Sequence, residues 1–271
     1  MKSDAEERHL ALLGVGLKYG APLAGMFDSV LGKALALSNR NAPIVEALGK
    51  SFSRVFVNNA EAMAGARFVG LLSRPDQVQA LVDEIGPYLS DDQVLVNFTA
   101  ARLIVPRPLI QAAIWPPIDC RAPVAFVAFN GAVDVENRED FGDLLSRVSD
   151  HVFEVGDCQA QLGLMARTIV HTCMYMKELE NQGYDEKHVC AHLRAVAAHL
   201  GEVKTTEIVA HAATAGGMSS QLQEYFNDTG VMKVIAVAEE RITDEYANRN
   251  IHDPSAGSSS ERTACQSGAA L

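Results

Sequence analysis

A glycine-containing turn placed directly after the first apolar run constrains the fold of this chain more than any other feature. The run Leu10–Leu13 is followed by Gly14-Val15-Gly16, and a second apolar run, Ala34–Leu37, ends in Ser38-Asn39-Arg40. In a dinucleotide-binding α/β fold, the first glycine permits a tight turn after the first strand, and the second lets the backbone approach phosphates at a helix N-terminus. We therefore predict a strand, a phosphate-binding turn and a helix at the start of the chain.

The glycine pattern departs from the usual G-x-G-x-x-G. A third glycine is expected at position 19, where the chain has Tyr19 followed by Gly20. Either the turn carries one extra residue or the third glycine is missing. A glycine-rich turn that binds nothing is the alternative to both, because a single degenerate motif has low specificity.

The end of the second apolar run indicates which dinucleotide would be bound. An acidic residue commonly stands there and binds the ribose 2′-hydroxyl of NAD. This chain offers instead the hydroxyl of Ser38, the amide of Asn39 and the guanidinium of Arg40. Because these groups suit a 2′-phosphate, the sequence favours NADP (NADPH) as the cofactor.

Composition narrows the class of protein. The chain has 271 residues, of which 48% are hydrophobic, and a formal net charge of −11. It can bury a substantial core, and its charge argues against broad binding of nucleic acid or of an anionic membrane. With no bilayer-length apolar stretch and a polar N-terminus, we expect a cytoplasmic protein that acts on small molecules. Its five cysteines form no C-x-x-C pair, and His188 and His192 have no glutamate between them, so neither disulfides nor a metal site is expected.

The first half of the chain alternates short apolar runs with amphipathic stretches, as expected for a doubly wound Rossmann-like sheet. The predicted strands are 9–13, 34–37, 54–57, 68–72, 93–98, 122–129 and 151–155. Helices are predicted over 20–31, 42–49, 60–65, 75–87, 103–114 and 137–148, with Asn59 as a helix N-cap and Pro75 in a first turn.

The second half has helical periodicity only. A long helix with few charges is predicted over Gln159–Glu180 and ends before Gly183. Because a small helical domain cannot bury so apolar a helix alone, we predict a homodimer formed through the C-terminal helices. The predicted organisation is a tail (1–8), a nucleotide-binding domain (9–156), an all-α dimerisation and substrate domain (157–250) and a disordered tail (251–271).

Four segments in order resemble those of pyrroline-5-carboxylate reductases. Val57–Ala66 resembles the family's D-N-A-E-A-V-x-G-A-D segment, and Ser38–Arg40 its S-N-R after the second strand. Ser73–Val78 is similar to V-K-P-Q-x-V, and Ala215–Ser220 to P-G-G-T-T. The resemblance extends over about residues 9 to 248 and implies hydride transfer from NAD(P)H to a cyclic imine.

The resemblance also implies roles for individual residues. Cofactor contacts fall on the glycine turn, the loop after the second strand and two later segments: Gly14, Gly16, Leu17, Ser38, Asn39, Arg40, Asn59, Ser73, Arg74 and Pro75. Ser219 and Ser220 would hold the imine nitrogen and carboxylate. Gly216 and Gly217 would present helix N-terminal amides to that carboxylate. From the residues alone, these two glycines are equally an interhelix turn with Ser219 as its N-cap.

The substrate side departs from the family pattern. The family's S-G-S-G-P-A is replaced by Met165–Ile169, and its M-P-N-T-P by Arg121–Phe126. We therefore predict a substrate other than pyrroline-5-carboxylate itself. Arg167 would clamp a carboxylate and Gln221 would add an amide, although either side chain could equally face solvent.

Two other classes remain open. A hydroxy-acid-type dehydrogenase would use a lysine of the long helix as its acid, and Lys177 stands late for that role. A catalytically inactive nucleotide-binding dimer is consistent with the altered substrate segment.

Overall fold

The computed structural model describes residues 8–115, 123–191, 193 and 194. Eight strands form one sheet in the order β3-β2-β1-β4-β5-β6-β7-β8. The strands are β1 (Arg8–Leu13), β2 (Leu35–Ser38), β3 (Val55–Phe56), β4 (Ala66–Leu71), β5 (Val94–Asn97), β6 (Leu109–Trp115), β7 (Val124–Phe129) and β8 (His151–Glu154). The α-helices are α1 (Gly20–Leu31), α2 (Ala42–Gly49), α3 (Asn59–Met63), α4 (Val78–Ile85), α5 (Val135–Val148) and α6 (Cys158–Asn181).

The sheet is doubly wound, because apolar clusters cover both of its faces. Alternate residues of β1 point to opposite sides: Leu10 and Leu12 join a cluster with Phe27 of α1, whereas Ala11 and Leu13 join a cluster with Leu81 of α4. Strands buried on both faces read as continuous apolar runs, which is why the first strands were recognisable in the sequence. The predicted Rossmann-like α/β fold class is confirmed.

The prediction of a helix over 103–114 is wrong, since this segment contains β6. β6 pairs in parallel with β5 and antiparallel with β7. Pro106 and Pro108 lack N–H donors and restrict the residues before them to extended conformations, so a helix is disfavoured there. The backbone from Ile110 onward finds its hydrogen-bond partners in the two neighbouring strands instead, and the fully described connection 98–108 contains no helix.

A helical segment follows the sheet. Asp157 caps α6 by accepting hydrogen bonds from the backbone N–H groups of Gln159 (2.8 Å) and Ala160 (3.4 Å). α6 ends before Gly183, whose positive φ of 88° is typical of a residue just beyond a helix. A further helix begins at residue 186 behind the capping side chain of Asp185. The rest of the predicted helical domain lies outside the described residues. Of the helices within the described ranges, none is both long and apolar enough to cross a membrane.

Candidate functional site

The glycine turn follows β1 and is hydrogen-bonded to the carboxyl end of β2. Gly14 adopts a left-handed conformation with φ +77°, which side chains rarely tolerate. The backbone N–H groups of Gly14 and Val15 both donate to the carbonyl oxygen of Ser38, at 3.0 and 2.9 Å. The turn is thereby held against the loop after β2, so both halves of the predicted dinucleotide motif meet at one edge of the sheet.

Ser73 lies against this turn. A Cβ added to Gly14 would stand 3.2 Å from the backbone nitrogen of Ser73. The Oγ of Ser73 is buried and has no hydrogen-bond partner among the residues that the structure describes. A Cβ added to Gly16 would meet nothing within 4 Å. The turn therefore combines one crowded glycine, one open glycine and an unpaired hydroxyl.

Gly20 takes the packing position of the third glycine. A Cβ there would lie 3.1 Å from the Cα and Cγ1 of Val15, so α1 begins directly against the turn. The inserted residue, Tyr19, donates its hydroxyl to the carbonyl oxygen of Ile114 at 3.2 Å, and burial raises its pKa to about 12. The structure thus favours the turn with one extra residue over the turn that lacks its third glycine.

The last residue of β2, Ser38, and the residue after it, Asn39, make different contacts. The Nδ2 of Asn39 donates to the carbonyl oxygen of Val15 at 2.9 Å, and its Oδ1 accepts from the N–H of Asn41 at 2.8 Å. Ser38 is fully buried and donates its hydroxyl to Oδ1 of Asn59 at 2.6 Å. Asn39 therefore shapes the loop, and Ser38 connects it to α3.

The prediction that Asn59 caps α3 is wrong, because the cap is Asn58. The Oδ1 of Asn58 accepts from the N–H of Ala60 at 2.8 Å. Asn59 is the first helical residue and is only 4% exposed. Its Oδ1 faces Ser38, and its Nδ2 donates to Oε1 of Glu84 at 2.9 Å. The asparagine of the N-A-E-A segment is thus a buried link between β2 and α4.

A cavity of about 390 Å³ opens beside this link. Its lining residues come from the loop after β2, the β3–α3 connection and the end of α4: Arg40, Val57, Asn58, Asn59, Ala60, Glu84, Ile85 and Tyr88. Arg40 donates to Oε2 of Glu84 at 3.3 Å, and their side chains are 71% and 40% exposed. The cavity wall therefore carries one guanidinium and one carboxylate in contact with each other.

Several cavity residues were absent from the predicted site. Glu84, Ile85 and Tyr88 lie at the end of α4 and in the following turn, more than forty positions after Arg40. No local motif marks them, and only tertiary contacts such as those of Glu84 with Arg40 and Asn59 reveal their place.

Other predicted cofactor residues lie away from the cavity lining. Arg74 is paired with Asp76 at 3.4 Å and is 71% exposed, while Pro75 begins a short 3₁₀ turn after β4, as predicted. Leu17 is half exposed just after the glycine turn. The structure brings Arg40 and Asn59 together around one cavity, and Gly14, Ser38 and Ser73 around the turn.

The predicted substrate residues are not placed. Arg167 belongs to α6, but its side chain lies outside the described residues. The C-terminal group also lies outside them: Gly216, Gly217, Ser219, Ser220 and Gln221.

The N-terminus of α6 is attached to the sheet at the loop after β5. The Nε2 of Gln159 donates to the backbone carbonyl oxygen of Ala101 at 3.0 Å. The thiol of Cys158 donates to the backbone carbonyl oxygen of Gln111 at 3.2 Å. Burial, with a smaller contribution from the charge of Asp157, raises the pKa of Cys158 to about 12. This thiol therefore stays protonated near neutral pH and is a poor nucleophile. Within the described part of the chain, no three His, Cys, Asp or Glu residues are grouped so that they could hold a metal.

Solved structures with this fold include several reductases. A pyrroline carboxylate reductase from Plasmodium falciparum, crystallised with NADP bound, is 11% identical, with a TM-score of 0.74 over 90% of this chain and 99% of that one. A 1-pyrroline-5-carboxylate reductase from Streptococcus pyogenes is 14% identical, with a TM-score of 0.71 over 89% and 98% of the two chains. An imine reductase from Pseudomonas sp. is 12% identical, with a TM-score of 0.58 over 89% and 92%. At these identities the likeness is one of fold.

Sequence comparison adds nothing to this likeness. No protein-family model matches the chain, and no curated protein is significantly similar to it.

Proposed function

We propose that this protein is an NADP-dependent reductase that transfers a hydride to a cyclic imine or a related small substrate. One observation carries the proposal: Arg40 and Asn59 line the same cavity, next to the loop that the glycine turn binds. In a doubly wound sheet, this edge, outside the carboxyl ends of the strands, is where dinucleotides bind.

The residues present suit a dinucleotide. The open space at Gly16 allows a pyrophosphate to approach the backbone, and the unpaired hydroxyl of Ser73 can donate to a phosphate oxygen beside it. Arg40 is mostly exposed and can turn its guanidinium onto a 2′-phosphate. Asn59 is held in place by Ser38, so that it contributes a fixed amide to the adenosine end.

Bound NADPH would supply the hydride, so the chain has to orient the cofactor, position the substrate and exclude water. A protonated imine is already electrophilic, and it needs positioning more than a strong acid. We assign this task to Arg167, Ser219, Ser220 and Gln221, with the amides behind Gly216 and Gly217 as the site for a substrate carboxylate. The reductase and imine reductase names of the fold neighbours support this class of substrate.

A hydroxy-acid-type dehydrogenase is less well supported. Lys177 lies near the end of α6, where it pairs with Glu180 at 3.2 Å, far along the helix from its attachment to the sheet. An acid at that position would be several helical turns from the nucleotide-binding edge.

Titration of the purified protein with NADPH and NADH, followed by cofactor fluorescence, tests the proposal. We expect NADPH to bind at micromolar concentrations and to be oxidised when cyclic imines, including pyrroline-5-carboxylate, are added. Binding without turnover on any imine would favour the catalytically inactive nucleotide-binding dimer. No binding of either dinucleotide at high micromolar concentration would contradict both enzyme hypotheses, the reductase and the hydroxy-acid-type dehydrogenase.

We also propose that the active form is a homodimer joined through its C-terminal helices. Four large apolar side chains of α6 are at least half exposed, which is unusual for a helix facing water: Leu164, Val170, Met174 and Tyr175. Val170 and Met174 are one helical turn apart and share a face.

Light scattering on two matched variants tests the dimer. Met174→Glu should shift the protein toward a monomer. Thr172→Glu, which adds the same charge on the face opposite Val170 and Met174, should leave a dimer. A dimer that both variants leave intact would place the interface elsewhere.

A further inference from the structure

Glu84 connects the two residues that the proposed function assigns to the adenosine end of the cofactor. Its Oε1 accepts a hydrogen bond from Nδ2 of Asn59 at 2.9 Å, and its Oε2 accepts one from Arg40 at 3.3 Å. All three residues line the same cavity. The end of β2 carries no acidic residue, and α4 supplies a carboxylate to the same region instead.

The position of this carboxylate opposes a 2′-phosphate. A phosphate that binds Arg40 would share the guanidinium with Glu84 or replace it, and in either case the carboxylate remains at the cavity wall as a like charge. Arg40 is mostly exposed and Glu84 is 40% exposed, so the loss of this solvent-accessible ion pair costs little. The remaining negative charge is therefore the larger obstacle to the phosphate.

The same carboxylate favours a ribose that lacks the phosphate. In NAD-binding folds, an acidic side chain at the end of the second strand accepts hydrogen bonds from the ribose hydroxyls. Here the last residue of β2 is Ser38, the loop after it offers Asn39 and Arg40, and Glu84 reaches the same region from α4. A ribose hydroxyl could donate to it without displacing a charge.

We propose that Glu84 sets the dinucleotide selectivity of this protein by lowering its preference for NADPH over NADH. The inference rests on the proposed function, because it requires that the cavity bind the adenosine end of a dinucleotide. In this arrangement Arg40 attracts the 2′-phosphate, Glu84 opposes it, and the ratio of the two dissociation constants reports their balance.

The test is to measure the Kd of NADPH and of NADH for the full-length protein and for Glu84→Gln. Glutamine keeps the size of the side chain and an oxygen that can accept from Asn59, but it removes the charge. We expect the Kd of NADPH to fall about tenfold and that of NADH to stay unchanged or rise about threefold. Asp83→Asn is the matched control. It removes the same charge from the neighbouring position, where Asp83 is exposed and accepts from Gln79 at 2.9 Å.

The outcomes separate this inference from the function on which it rests. If the unaltered protein binds neither dinucleotide, the proposed function fails and the inference falls with it. If the unaltered protein binds NADPH but Glu84→Gln changes the ratio no more than Asp83→Asn does, only the inference is overturned. A rise in both dissociation constants by the same factor would assign Glu84 a purely structural role and would also overturn it. Thermal unfolding of each variant verifies that the measured constants come from folded protein.

Discussion

The glycine turn (Gly14–Gly16) and the group of Arg40, Asn59 and Glu84, here called the Arg40 corner, lie at the same edge of the sheet. They are built in different ways. The turn is formed by backbone: Gly14 has a positive φ, its N–H donates to Ser38, and Gly20 packs against Val15. The corner is formed by side chains, with the exposed pair of Arg40 and Glu84 above the buried Asn59. The turn is rigid and suits any dinucleotide, whereas the corner is adjustable and its charges can distinguish one dinucleotide from another.

This difference teaches which part of a nucleotide site can diverge freely. A substitution in the turn disturbs the packing of β1, β2 and α1 together, so it threatens the fold. A substitution of Arg40 or Glu84 in the corner changes charge at an exposed position and leaves the core intact. Variants of the two regions should therefore separate loss of folding from loss of selectivity.

The largest effect is expected for Gly14→Val. A branched side chain at φ +77°, against the backbone of Ser73, should cost about 3 kcal/mol of stability through strain and overpacking. Urea unfolding measures the loss, and binding of both dinucleotides should fall with it. Gly25→Ala is the control, since a Cβ there meets nothing within 4 Å and alanine suits a helix interior. A Gly14→Val protein as stable as the control would contradict the account of the turn.

Arg40→Ala should act on selectivity alone. Removal of a charge-assisted contact to the 2′-phosphate should raise the Kd of NADPH about 30-fold, which corresponds to about 2 kcal/mol. The Kd of NADH should change little, and the free energy of unfolding should stay within about 0.5 kcal/mol, because the side chain is largely exposed. Lys50→Ala, at the end of α2, controls for the loss of one positive charge. An equal loss for NADPH and NADH would contradict the phosphate role of Arg40.

Asn59→Ala should destabilise the protein less than Gly14→Val and more than Arg40→Ala. It leaves the buried hydroxyl of Ser38 without its acceptor, so we expect a loss of about 1–2 kcal/mol in the free energy of unfolding. It also frees Glu84 from one partner, which should weaken the binding of both dinucleotides. Asn58→Ala removes the cap of α3 and one polar side chain of the cavity lining, with an expected cost of about 1 kcal/mol and a smaller effect on binding than Asn59→Ala. A larger effect for Asn58→Ala on cofactor binding would reverse the roles assigned to these neighbours.

The smallest effect is expected from added salt, which should change the Kd of NADPH more than the Kd of NADH. A rise in ionic strength from about 0.05 to about 0.5 M shortens the screening length to a few ångströms, so the exposed charges of the corner should be screened. The Kd of NADPH should rise about threefold more than that of NADH. Arg40→Ala should remove this difference, and a difference that persists in that variant would move the phosphate contact elsewhere.

Local patterns were enough to predict most of the strands and the glycine turn. The apolar runs of β1, β2, β4 and β5 are continuous because both sheet faces are covered, and that pattern is visible one segment at a time. The helix predicted over 103–114 failed because its apolar spacing suits either element, and the two prolines decide against a helix. The choice of Asn59 as a cap failed because adjacent asparagines differ only in which one the β3–α3 connection leaves exposed.

What the sequence by itself determined is the α/β fold class, the glycine turn and the cationic loop after β2, since each depends on residues close together in the chain. The tertiary structure alone decided that Gly20 replaces the third glycine, that Asn59 is a buried link and that Glu84 faces Arg40. These contacts join segments that are distant in sequence, and their geometry depends on how α1, α3 and α4 pack on the sheet. The charge balance of the candidate cofactor site is therefore a property of that packing.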